Sequence, residues 1–269
     1  MGVEPEPSTI DPPEKFEPFA EHVIKTYPLP IAQACADFNC EQEVGRKFVA
    51  LDRLITHLIK YLAAIFIGQA RRDKPPDYPL PEKLEWIAKP TLQSWTEAIR
   101  ELSELYKKTP WQEKWKLADL LPACTRPLLG RQELVDAIDY LTLQLHKSGI
   151  DEPSVIDFLQ LLAWNREKEW QDAAAQYPLE KIEPVMLRLQ SALALLLNEL
   201  EPLRRYPLVY LERADAAGSE VRLRLVKFMG QVTEDVTPAN KPALAVPHAE
   251  AQHIKRNRFN RMIRWNCCR

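Results

Sequence analysis

Apolar residues set a helical rhythm from Glu41 to Arg72. Val44, Phe48, Leu51, Leu54, Leu58, Leu62 and Ile65 recur at intervals of three and four, the spacing of one helix face. Val49, Ile55, Ile59 and Phe66 widen that stripe until little polar surface remains near Ile65. A helix apolar nearly all round is a buried one, so this stretch is expected to be the central helix of an all-α bundle. Arg71 and Arg72 close it, with two cations suited to a helix C-terminus.

The same rhythm predicts further helices on both sides. Phe19–Cys40 reads as two short helices broken at Tyr27-Pro28-Leu29-Pro30, with Pro30 at the first helical position, where its missing N–H costs nothing. Glu82–Lys89 is a short helix. Pro90 opens another with Leu92, Trp95, Ile99, Leu102 and Leu105 on its stripe. Thr109-Pro110-Trp111-Gln112 has the form of a capping box, and its helix is expected to stop at Pro122. Arg131–Lys147, Asp151–Gln176 and Leu179–Leu200 follow. Pro184 must lie in the first turn of the last of these or kink it.

After Pro202 the period changes. Val221, Leu223 and Leu225 alternate with Arg222 and Arg224, the period of two that marks a half-buried strand. With Leu208–Leu211 before it and a turn at Asp215–Ser219, this predicts a small C-terminal β-hairpin. The expected architecture is therefore a multi-helix bundle of about seven to nine helices around one long helix. The expected divisions are an acidic, Pro-rich tail at 1–18, a helical domain at 19–202, the hairpin at 203–230, and a linker with a basic tail at 231–269.

Composition narrows the chemistry. The 269 residues carry a net charge of −2, 7 glycines and 23 prolines. A near-neutral total creates no global field for nucleic acid or membrane. Few glycines and many prolines suit helices with Pro-punctuated connections. Five cysteines at irregular spacing argue against a disulfide framework and for reduced thiols in a cytoplasm. No secretory leader and no apolar run long enough to span a membrane are seen; Leu54–Ile67 is interrupted by His57 and Lys60.

Candidate sites are sparse. No phosphate-binding loop, dinucleotide fingerprint or nucleophile elbow occurs, and no cofactor is expected. His248, His253, Cys267 and Cys268 are potential metal ligands, but adjacent cysteines lack the gap that zinc sites use. Acid pairs at Asp136 and Asp139, and at Glu167 and Glu169, read as solvated charges. The basic tail interleaves Lys255, Arg256, Arg258, Arg261 and Arg264 with apolar residues including Trp265. Cations with aromatics can hold a phosphate backbone and stack on bases, or dock on an acidic partner. Trp86, Trp95, Trp111 and Trp115 offer contact surface, although Trp95 suits the core.

Arg53 and His57 lie one turn apart on the central helix. They resemble the arginine–histidine pair of HEPN-type RNA-cleaving folds, with a shorter gap of three residues. The alternative is structural: Arg53 paired with a carboxylate such as Asp52 or Glu97, and His57 a satisfied core histidine.

A broader resemblance runs through the chain. Tyr27-Pro28-Leu29-Pro30-Ile31-Ala32, Lys60-Tyr61-Leu62-Ala63-Ala64, Lys89-Pro90-Thr91-Leu92-Gln93-Ser94-Trp95 and Tyr206-Pro207-Leu208-Val209-Tyr210 occur in an order similar to an uncharacterised helical module. That module accompanies kinase, cyclase or NTPase domains in large bacterial proteins. It usually has glycine where this chain has Ser94. The resemblance implies an accessory, non-enzymatic role in signalling or defence with another protein or subunit as partner, and carries over no catalytic residue.

Overall fold

The computed structural model describes residues 15–73, 91–108, 117, 119–128, 130–144, 152–167, 179–217, 220–230 and 232–236. Among the described residues, eight helices pack together: α1 (Glu21–Thr26), α2 (Leu29–Cys40), α3 (Val44–Asp73), α4 (Leu92–Lys108), α5 (Leu120–Thr125), α6 (Gln132–Gln144), α7 (Val155–Asn165) and α8 (Leu179–Glu199). A 3-10 turn at Glu201–Arg205 leads to strands β1 (Leu208–Ala217), β2 (Glu220–Met229) and β3 (Val232–Val236), ordered β1-β2-β3 in one sheet.

The long helix is the centre that its periodicity predicts. It runs for 30 residues and packs against α2, α4, α7 and α8. Leu51, Leu54, Ile55, Leu58, Ile59, Leu62 and Phe66 are all at most 1% exposed. Phe38 on α2 caps this core near the N-terminus, edge-on to Phe16 and Phe19 at centroid separations of 5.8 and 5.2 Å. The Lys47 ammonium lies 4.5 Å from the Phe38 ring centre.

Several boundaries differ from expectation for local reasons. Pro122 does not stop a helix. It lies in the first turn of α5, where a proline N–H would have no helical partner anyway. α7 begins at Val155 rather than Asp151, because Ser154 and Asp157 form a reciprocal capping box there. α8 continues through Pro184. Asp215 belongs to β1 rather than to a turn, and the segment taken for a linker after Gly230 contributes β3. Trp86, Trp111, Trp115, Glu169 and the 1–14 tail lie outside the described residues.

The chain divides into two compact units, one of residues 1–208 with 229–232, the other of 209–228 with 233–269. The helical unit thus includes the root of the hairpin. Pro28 and Met229 form an antiparallel bridge, and the Gly230 N–H donates to the Tyr27 carbonyl at 2.7 Å. Gly230 has φ of +59°, and a Cβ there would stand 2.3 Å from the Lys25 carbonyl oxygen. Only glycine fits such a position. The Tyr27 hydroxyl donates to the Leu197 carbonyl at 2.5 Å, and the Tyr61 hydroxyl to the Tyr206 carbonyl at 2.6 Å.

Candidate functional site

Arg53 and His57 are placed by α3 along its contact with α2. Arg53 Nη1 donates to Asp37 Oδ2 at 2.8 Å. Gln33 donates to the other oxygen of the same carboxylate at 2.8 Å. His57 Nδ1 lies 2.8 Å from the Pro30 carbonyl oxygen; a carbonyl only accepts, so this nitrogen carries the proton. Burial lowers the His57 pKa below its ordinary value, and the Pro30 bond opposes that shift. The expected partners of Arg53 are not the ones found. Asp52 is engaged by Arg166, the C-cap of α7, through two hydrogen bonds, and Glu97 pairs with Arg100. Helix register explains this, since Asp52 adjoins Arg53 in sequence but faces α7.

The arrangement is a polar seam that ties two helices together. The Arg53 charge is already matched by Asp37, and a neutral imidazole with its proton on Nδ1 is held to main chain.

Other polar junctions cross-link the bundle. The Gln93 N–H on α4 meets Glu167 at 3.3 Å. With its amide oriented to satisfy both neighbours, Gln93 also donates to Glu167 at 3.2 Å and accepts from Trp164 Nε1 at 2.8 Å. A further junction, around a buried acid, is at the end of α8. The Glu199 side chain is 6% exposed and takes hydrogen bonds from Arg126 and, at 2.5 Å, from Arg131. Burial alone would raise its pKa, but the two guanidiniums outweigh that and hold it below the usual carboxylate value. Sequence reasoning missed this clamp because its arginines lie 73 and 68 positions from Glu199, with no local pattern linking them.

Asp136 is buried rather than solvated; its Oδ1 accepts from Gln132 at 2.8 Å. Trp95 packs against the core as a partly buried residue. Cys35, Cys40 and Cys124 are free thiols. Burial pushes the Cys124 thiol up to about 12 and raises Cys35 as well, so neither is a ready nucleophile. Among the described residues, no group of three His, Cys, Asp or Glu is placed to hold a metal ion, and no helix is long and apolar enough to cross a membrane. His248, His253, Lys255, Arg256, Arg258, Arg261, Arg264, Trp265, Cys267 and Cys268 lie outside the described residues.

Comparison with known protein families, curated proteins and solved structures finds no match to this chain.

Proposed function

We propose that this chain is a non-enzymatic, partner-binding module, an adaptor or regulatory scaffold of a bacterial signalling or defence system, working in the cytoplasm. The observation that carries the partner-binding part is the position of β1. It is ten residues long and terminates the strand order β1-β2-β3. The backbone of an edge strand is a template on which another chain can add a strand. The non-enzymatic part draws on the seam, where Arg53 and His57 are engaged by Asp37 and Pro30. The signalling or defence setting rests on the order of the Tyr-Pro-Leu-Pro, Lys-Tyr-Leu-Ala-Ala and Tyr-Pro-Leu-Val-Tyr segments.

The test is quantitative co-purification from the native host. The full chain is compared with one in which residues 209–228 are replaced by a short Gly-Ser link. Leu208 and Met229 remain to anchor the helical unit, whose melting curve is the control. Specific partners should disappear with the strands while the melt is kept. An unchanged set of partners would sink the reading. RNA cleavage by the full chain that is lost in His57→Ala, with the melt preserved, would replace it with the nuclease alternative.

A further inference from the structure

Arg53 of the seam also heads an exposed line along α3. Arg53, Lys60, Ala64, Gly68 and Arg71 are exposed and follow one another at intervals of seven, four, four and three, which is one face of a helix. Every exposed ionisable residue on α3 is a cation; its two acids, Asp52 and Asp73, are partly buried and paired with Arg166 and Arg72. The face runs about 27 Å from Arg53 to Arg71 at helical rise.

Its two halves differ. Toward the N-terminus, acids compensate the cations: Arg46 pairs with Glu43 and Glu41, and Arg53 with Asp37. Toward the C-terminus, neither Lys60 nor Arg71 has an ion-pair partner among the described residues. They stand about 17 Å apart along the axis. Ala64 and Gly68 form a flat floor between them, and a Cβ added at Gly68 would meet nothing within 4 Å. Next to Lys60 in sequence, Tyr61 donates to the Tyr206 carbonyl; Arg204 and Arg205, which precede Tyr206, are exposed and form surface pairs with Glu201 and Asp119.

We propose that this C-terminal half of α3 docks the phosphate backbone of a nucleic acid, independently of sequence. Polyanion binding requires cations at a surface that a strand can approach closely, and no apolar anchor. About 17 Å matches roughly five nucleotide steps of one strand. A protein partner would instead draw its energy from buried aromatic or aliphatic anchors. Between Lys60 and Arg71 the exposed floor has only Ala64 and Gly68, and the one large exposed hydrophobic among the described residues is Val49, at the other end. With no exposed aromatic on this line, contacts stay on phosphate and carry no base information. This docking face uses none of the residues of β1 and does not rest on that reading.

The experiment is fluorescence anisotropy of the full chain with a labelled RNA of about 20 nucleotides and a DNA duplex of similar length, across a salt series starting near 50 mM. The double variant Lys60→Glu with Arg71→Glu should weaken binding at least tenfold at the lowest salt and flatten the salt dependence by about two phosphate contacts. Gly68→Glu should weaken it as well while favouring the helix, so that loss cannot be ascribed to unfolding. A full-length chain with Lys255, Arg256, Arg258 and Arg261 all changed to Glu should still bind. Three results would overturn the proposal: no binding at low salt, unchanged affinity in the α3 variants, or complete loss in the tail variant alone. Tighter binding of a labelled polyglutamate peptide, lost in the same α3 variants, would assign the face to an acidic protein instead.

Discussion

The Arg53–Asp37 pair and the Arg126–Glu199–Arg131 clamp are built from the same kinds of side chain in opposite surroundings. In the first, guanidinium and carboxylate both see solvent, at 49% and 29% side-chain exposure. In the second, two arginines more than half exposed converge on an acid that is 6% exposed. Water already solvates the first pair well, so forming it gains little. The second acid has lost its water, and without its partners it would be a buried, uncompensated charge. The difference teaches that the acid's burial, more than the number of charges drawn together, decides what a junction contributes.

The largest loss is expected at the clamp. Arg126→Met combined with Arg131→Met should lower stability by about 3 kcal/mol, read as a fall in the urea midpoint. A loss as small as that of the surface pair would show that Glu199 is solvated after all. Acid sharpens the same test. The folded pKa of Glu199 is depressed, so its contribution is present above the ordinary carboxylate value of about 4.3 and is lost as pH falls through the lower folded value. The gap between the native chain and the double variant should close in strong acid.

A neutral buried junction should fall between the two. Tyr27→Phe removes the hydrogen bond to the Leu197 carbonyl and should cost about 1–2 kcal/mol, measured by the same denaturation. Arg53→Met should cost less than about 1 kcal/mol, and its effect should fade in molar salt.

The smallest expected effect is at His57. Its folded pKa lies below the ordinary value of about 6.5. The unfolded chain therefore binds more protons between the two values, and stability is greatest above 6.5 and declines as pH falls below it. His57→Gln should flatten that slope in melts taken from pH 8 to pH 5, leaving the Glu199 transition at lower pH intact.

What could be read from the sequence was whatever repeats locally. The stripe of α3 needs only its own residues to be seen, and so do the stripes of α4 and α8. Proline gave boundaries only where its environment was also local. Pro28 and Pro30 begin α2, but Pro122 sits inside a first turn that its own dihedral tolerates. β3, Val-Thr-Glu-Asp-Val, is too short to display a period. The polar junctions stayed hidden for a different reason. Asp37 lies 16 positions from Arg53 and Arg166 lies 114 from Asp52, so the choice of partner follows from helix register in three dimensions. A carboxylate next in sequence was the natural guess for Arg53, and adjacent residues on a helix face different ways.

The root of the hairpin sets an order of events in the life of the chain. The turn between α1 and α2 is among the first described segments to leave a ribosome, yet its Tyr27 carbonyl awaits Gly230, its Pro28 awaits Met229, and its Tyr27 hydroxyl awaits a partner 170 positions on. Such distant contacts cannot reward the chain until both ends exist, and closing long loops slows folding. The nascent α1–α2 turn would therefore wait with these contacts unmade until the chain has been synthesised through Gly230, a window in which its apolar residues stay uncovered.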